Sequence, residues 1–109
     1  MTRIAPTIVP CASLAEVREQ IDRLDRQLVA LIAERGAYVR QAAGFKQSMD
    51  EVPAPQRVAQ VLDKVCAVAR EAGADPLVVE ATWRAMIAAF IEAERATHRA
   101  LHPPSPSTN

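Results

Sequence analysis

The chain has 109 residues, which suits a single domain. Its 13 basic and 13 acidic side chains give zero formal net charge, which argues against general nucleic-acid binding because that needs a basic surface. No apolar run reaches the length of a membrane span, and the N-terminal residues make a poor signal peptide, so we expect a cytoplasmic protein. The two cysteines, Cys11 and Cys66, lack the spacing of a disulfide framework or a metal site. Few aromatic and glycine residues among many Ala, Leu and Val favour helices over a β-sandwich or barrel.

The first helix is predicted to begin after Ser13, because Ser13 and Glu16 have the spacing of a capping box. Apolar residues then recur at helical spacing, with no proline before Pro53. The helix is therefore predicted to run from Leu14 to about Ser48, a length of roughly 50 Å. A compact domain of this size has a radius of gyration of about 13 Å, so its own chain cannot cover such a helix. We expect a second copy of the chain to cover it.

Two further helices are predicted from their end signals. Pro55 lies in the first turn of helix two, and Gly73 is the residue expected just past its end. Asp75 and Pro76 then read as the N-cap and first residue of helix three. Segments 1–12 and 103–109 are expected to be flexible tails, which leaves one all-α domain over 13–102. The residues predicted to face inward are Val58, Val61, Leu62, Val65 and Ala69 on helix two, and Leu77, Trp83, Ile87, Phe90 and Ile91 on helix three.

Two cations lie within the apolar stripe of helix one. With Leu14 set at zero and 100° per residue, the stripe covers about 260–340°. Arg35 falls at about 300° and Lys46 at about 320°, roughly 16 Å apart along the axis. Arg18 lies at the edge of the stripe, about 25 Å from Arg35. Cations on an apolar face are costly unless an anion meets them, so this pattern indicates an anionic ligand or buried acids.

Glu94 is an acid in a comparable position on helix three. Counted from Leu77 it falls at about 260°, in the middle of the apolar stripe, where loss of water favours the protonated carboxyl unless a cation pairs with it. Arg57 lies on the flank of the apolar face of helix two. A purely structural alternative stays open: Arg35 and Lys46 pair with Glu94, or extend past the apolar surface to water.

Other polar residues are weaker candidates. His98 and His102 are four residues apart on a helix but lack a third ligand, so no metal site is predicted. Cys66 lies on the margin of the apolar face of helix two, where a core role is more common than a nucleophilic one. Gly36 and Gly44 each cost helix one about 1 kcal/mol relative to Ala, and would permit close helix approach or make room for a ligand.

The joint spacing of these residues, over about 13–98, resembles the all-helical chorismate mutases. The residues that carry the resemblance are Leu14, Arg18, Ile21, Asp22, Leu24, Asp25, Leu28, Leu31, Arg35, Lys46 and Arg57. The pair Phe45-Lys46 and the run Pro53-Ala54-Pro55-Gln56-Arg57-Val58 look most like the subgroup that includes the bacterial isochorismate-pyruvate lyases of salicylate formation.

The resemblance implies an intertwined all-α homodimer with two equivalent sites and no cofactor or metal. It implies that Arg18 of one chain and Arg35 of the other hold the two carboxylates of the substrate. Lys46 would donate to the ether oxygen and to one carboxylate. Arg57 would belong to a mobile segment that closes the site.

This sequence departs from the family pattern at two positions. Val58 stands where many mutases carry a glutamate that binds the substrate hydroxyl, as it does in the lyase-like subgroup. Glu94 stands where a glutamine usually donates to the ether oxygen. A carboxylate cannot donate a hydrogen bond, but a protonated acid can, and some fungal mutases also have glutamate there.

Three functions are compatible with the sequence. The first is the rearrangement of chorismate to prephenate, a pericyclic reaction that needs no nucleophile or cofactor. The second is the elimination of pyruvate from isochorismate in the same cationic pocket. The third is a non-catalytic helical dimerisation module, in which Arg35, Lys46 and Glu94 form a buried ion cluster that fixes the register.

Overall fold

The computed structural model describes residues 6–45 and 54–101, and every regular element within them is an α-helix. Helix α1 spans Leu14–Phe45, α2 spans Ala54–Ala72 and α3 spans Pro76–Leu101. The predicted all-α class and the order of three helices are confirmed. The predicted last turn of helix one, up to about Ser48, lies outside the described residues. No helix in this part of the chain is long and apolar enough to cross a membrane.

Helix α1 begins at the predicted capping box. The backbone N–H of Glu16 donates to the Ser13 hydroxyl at 3.2 Å, and the N–H of Ala12 donates to a carboxylate oxygen of Glu16 at 2.6 Å. The N–H of Val17 donates to the carbonyl of Ser13 at 3.2 Å, which starts the helical ladder. Donors that the helix leaves unpaired at its first turn are thus satisfied locally, and this fixes where every later residue of α1 lies.

The apolar stripe of α1 is exposed over most of its length. Its residues from Leu14 to Ile32 each leave 40% to 62% of their surface in water: Leu14, Val17, Ile21, Leu24, Leu28, Leu31 and Ile32. Nearer the C-terminal end of the helix, Gly36 is buried and Val39 is half-buried. Such a contiguous apolar surface is typical of a face that another protein surface covers.

Helices α2 and α3 form a hairpin in which one face of each packs against the other. On α2, Leu62 and Ala69 are the buried residues, and Val58, Val61 and Val65 beside them are half-buried. All five were predicted to face inward. They recur at intervals of three and four residues, so one side of α2 supplies the whole contact.

The inward face of α3 agrees with the prediction except at its start. Four of the five predicted residues are half-buried: Trp83, Ile87, Phe90 and Ile91. The prediction for Leu77 is wrong, since Leu77 is 75% exposed. The half-buried face covers about 180–320° and includes Val79 and Met86, whereas Leu77 lies about 40° outside it.

The turn of the hairpin is set by Gly73 and Asp75. Gly73 has φ 77°, its N–H donates to the Arg70 carbonyl at 3.4 Å, and the N–H of Ala74 donates to the Ala69 carbonyl at 2.8 Å. This pair of bonds is the Schellman ending, which favours glycine at the left-handed residue. Asp75 then caps α3 by accepting the N–H of Leu77 at 2.9 Å. Both predicted end signals are confirmed.

We expect Gly73→Ala to destabilise the protein by about 1 kcal/mol, because a Cβ is strained at positive φ even though open space surrounds it. Gly44→Ala is the matched control: Gly44 also has space for a Cβ but lies within α1, where Ala is favoured by up to about 1 kcal/mol. Urea unfolding of both variants measures the difference. Equal effects of the two substitutions would contradict the assigned turn.

Candidate active site

Helix α1 carries two of the predicted site cations at well-separated levels. Arg18 is exposed one turn after the helix start, at the edge of the apolar stripe, and has no ion-pair partner on the described part of α1. Arg35 is half-buried within the stripe, next to the buried Gly36. The two residues are about 25 Å apart along the axis, as the sequence predicted. A continuous helix keeps them apart, so α1 alone cannot direct both guanidinium groups at one small ligand.

Arg57 lies in the first turns of α2 and is exposed on the flank of its apolar face. One turn later on the same side is Val61, which is half-buried against α3. Arg57 makes no ion pair with any described residue of the hairpin. Its charge is therefore available at the edge of the packed face, where the sequence placed it.

Glu94 is half-buried in the centre of the inward face of α3. Ile87, Phe90 and Ile91 precede it by seven, four and three residues, so this side of the carboxyl is lined by apolar groups. The observed position supports the prediction that Glu94 points from an apolar face.

The arginines of α3 near Glu94 pair with another acid. Arg95, the nearest in sequence to Glu94, lies 3.7 Å from Glu92, and Arg99 lies 3.4 Å from the same carboxylate. Both pairs are mostly exposed, so they contribute little to stability. No described residue of α2 or α3 forms an ion pair with Glu94. The structural alternative, in which Arg35 or Lys46 of helix one pairs with Glu94, is not tested by these pairs.

Arg57 and Glu94 lie at the same end of the hairpin. Counted back from Ala72, Arg57 is about 22 Å from the turn, and counted forward from Pro76, Glu94 is about 27 Å from it. The short turn through Gly73 makes the helices run in opposite directions, which brings the two residues to similar levels. The hairpin thus presents one cation and one acid at the end remote from its turn.

One half-buried acid was missed by the sequence analysis. Glu80 falls at about 300° on α3, inside the inward face, and the same angular count would have found it. It lies 3.4 Å from Arg84 one turn later, and about 21 Å along the helix from Glu94. A paired acid at that distance does not join the candidate site.

Lys46, the fifth predicted residue, lies outside the described residues. Within 6–45 and 54–101, no group of three or more His, Cys, Asp or Glu residues is suited to a metal ion. The candidate side chains that the structure describes are guanidinium groups on α1 and on α2, and a half-buried carboxyl on α3. Each guanidinium group by itself can bind a carboxylate through paired hydrogen bonds.

Comparison with known proteins identifies the family. A model described as "Chorismate mutase type II" matches residues 17–95, which is more than half of the chain, so the protein belongs to the chorismate mutase type II family. Among similar proteins is the isochorismate pyruvate lyase of Pseudomonas aeruginosa. It is 40% identical over 81 residues, which are 74% of this chain and 80% of the relative. Both the family and the lyase-like subgroup of the sequence resemblance are confirmed.

We expect Arg57→Ala to change the free energy of unfolding by less than about 0.5 kcal/mol, because the side chain is exposed and unpaired within the hairpin. Leu62→Ala, one to two turns along α2 at a buried position, should cost about 2–4 kcal/mol. Thermal and urea unfolding of the two variants test this. A large loss of stability in Arg57→Ala would give Arg57 a structural role instead.

Proposed function

We propose that the protein is an enzyme that rearranges chorismate to prephenate, in a site formed by Arg18, Arg35, Lys46, Arg57 and Glu94. The observation that carries this proposal is the family match, because residues 17–95 contain all five positions. The exposed Arg57 and the half-buried Glu94 at one end of the hairpin support it.

The chemistry fits a site built from charge. The rearrangement is pericyclic, so it passes through one cyclic transition state without a covalent enzyme intermediate. Catalysis then comes from holding a flexible dianion in a chair-like reactive geometry, which arginines facing its two carboxylates can do. Fixed donors stabilise the negative charge that develops on the breaking ether oxygen. We assign the carboxylates to Arg18 and Arg35, and the ether oxygen to Lys46 and the protonated form of Glu94.

A second candidate function is the elimination of pyruvate from isochorismate. It is favoured by the 40% identity with a protein named isochorismate pyruvate lyase and by Val58 at the position next to Arg57. This reaction is also pericyclic and starts from a closely related dianion, so the same cations can serve it. The two functions therefore share a site and differ in the substrate that the pocket orients productively.

The site is proposed to need two copies of the chain. Arg18 and Arg35 of one α1 are about 25 Å apart, too far for both to hold one small dianion. A second copy can supply the missing arginine if its α1 packs on the exposed apolar stripe. Burying that stripe also removes apolar surface from water, at about 25 cal/mol per Å². We therefore propose a homodimer with two equivalent sites.

Incubation of the purified protein with chorismate and with isochorismate separately tests the function. Prephenate formed from chorismate supports the mutase, and salicylate plus pyruvate formed from isochorismate supports the lyase. Glu92→Gln, which alters an exposed ion-paired acid of α3, is the control variant and should keep activity. A folded protein that forms no product from either compound would be a non-catalytic dimerisation module.

Arg18→Ala and Arg35→Ala are each expected to lose activity by at least about 100-fold, since each removes a cation facing the substrate. Mixed dimers made by co-refolding the two inactive variants should recover activity. In such a dimer one site carries both substitutions and the other carries neither, so at equal mixing about a quarter of all sites are intact. Recovery is measured from the initial rate against the parent enzyme. Absence of recovery in verified mixed dimers would mean that both arginines act within one chain.

Activity is expected to fall as pH rises, because Glu94 donates to the ether oxygen only while protonated. Glu94→Gln carries an amide donor at every pH and should flatten that decline. The measurement is kcat/KM against pH for the parent, Glu94→Gln and the Glu92→Gln control. A parent enzyme equally active in alkali and acid, or an unchanged slope in Glu94→Gln, would show that Glu94 is not the donor.

A further inference from the structure

An apolar segment with exposed side chains precedes α1. Residues 7–11 are not helical, and Ile8 and Val9 within them are 82% and 66% exposed. The Cys11 thiol donates to the Val9 carbonyl at 3.5 Å. The Ile8 and Val9 side chains are both large, aliphatic and in contact with water, so their burial against any apolar surface would lower the free energy.

A second exposed apolar patch lies at the opposite end of α1. Phe45 is 81% exposed and Tyr38 is 63% exposed. They are seven residues apart, so both lie on one side of the helix, at about 220° and 240°, next to the apolar stripe. Large aromatic side chains exposed together in this way are typical of contact surfaces.

The two patches cannot meet within one chain. From Leu14 to Phe45 the helix rises about 46 Å, whereas the six residue steps from Ile8 to Leu14 span at most about 20 Å. At least about 26 Å therefore separates Ile8 from Phe45 in the same chain. If each covers the other, the second patch must come from another copy.

The register of the proposed dimer can be calculated from the site. This step rests on the proposed function, in which Arg18 of one copy and Arg35 of the other bind one substrate. Two parallel α1 helices related by a two-fold axis would still leave these residues about 25 Å apart, so the helices must be antiparallel. Arg18 and Arg35 are then level across the interface, and so are all pairs of α1 positions whose numbers sum to 53. Leu14 is therefore level with Val39 of the second copy, about 9 Å before Phe45 along the axis. The six residue steps from Leu14 back to Ile8 span up to about 20 Å, so Ile8 can reach Phe45 of the second copy.

We propose that Ile8 and Val9 of each chain pack against Phe45 and Tyr38 of the second copy, forming an apolar clasp at both ends of the α1 pair. The clasp extends the interface beyond the helical stripe without requiring any further partner. It encloses the C-terminal end of each α1, the end that leads to Lys46. The surface that covers each patch belongs to a second copy of this chain, because Arg18 and Arg35 of the proposed site determine how the two α1 helices align.

Cysteine cross-linking tests the clasp. In a Cys11→Ser, Cys66→Ser background, Ile8→Cys and Phe45→Cys are placed on separate chains, co-refolded, and treated with a short bifunctional maleimide. We expect a covalent dimer that contains one chain of each kind. The matched control replaces Phe45→Cys by Leu31→Cys, an exposed residue of the stripe that lies about 21 Å along α1 from Phe45, and should give little product.

A second variant tests the energetics without new cysteines. Ile8→Ser with Val9→Ser should raise the dimer dissociation constant by at least about tenfold, because both ends of the interface lose apolar contact. Val29→Ser, at an equally exposed position about 60° around α1 from Leu14 and away from the stripe, should leave it within about threefold. Sedimentation over a concentration series measures both constants.

The outcomes separate the clasp from the proposed function. A dimer that converts chorismate or isochorismate but forms no 8–45 cross-link, or cross-links equally at position 31, overturns the clasp and leaves the function standing. A dimer that forms the 8–45 cross-link but acts on neither substrate supports the clasp and overturns the function. A folded monomer at micromolar concentration overturns the clasp and the two-chain site together.

Discussion

The rise of a straight α-helix is the constraint on which the rest of this structure depends. At 1.5 Å per residue, α1 separates Arg18 from Arg35 by about 25 Å, and nothing in a continuous helix can shorten that distance. The same length leaves an apolar stripe that stays in water in the single chain. In the proposed dimer, a second antiparallel copy both supplies the missing arginine and covers the apolar stripe. Substrate binding and assembly of that dimer therefore follow from the same geometry.

The hairpin of α2 and α3 holds the Glu94 side chain on a half-buried and mostly apolar face. Glu94 lies among Ile87, Phe90 and Ile91, while the neighbouring arginines of α3 engage Glu92 on the exposed side. This division keeps the hairpin's own cations away from the half-buried carboxyl.

Local chemistry explains which parts of the fold were predictable. Ser13, Gly73 and Asp75 act through hydrogen bonds to residues within a few positions, so their roles follow from sequence alone. Leu77 was misjudged because its hydrophobicity was weighed without knowing which side of α3 meets α2. That side is a tertiary property, and it favours Val79 and Met86 instead.

For the site, counting along each helix predicted the faces on which Arg35 and Glu94 lie, and both are half-buried in the described helices. That Arg18, Arg35, Arg57 and Glu94 form one site stays a prediction, because it depends on packing between helices, which the periodicity of a single helix does not encode.

The three-residue connection between α2 and α3 has a consequence for the order of folding. Its loop is so short that closing it costs little chain entropy, and the contacts of the hairpin are close in sequence. The hairpin can therefore form in an early step whose rate is independent of protein concentration. In the proposed dimer, the apolar stripe of α1 is covered in a later, bimolecular step. Between those steps the exposed apolar face of α1 can bind other unfolded or partly folded chains. Aggregation is therefore expected to increase with the concentration of newly made protein.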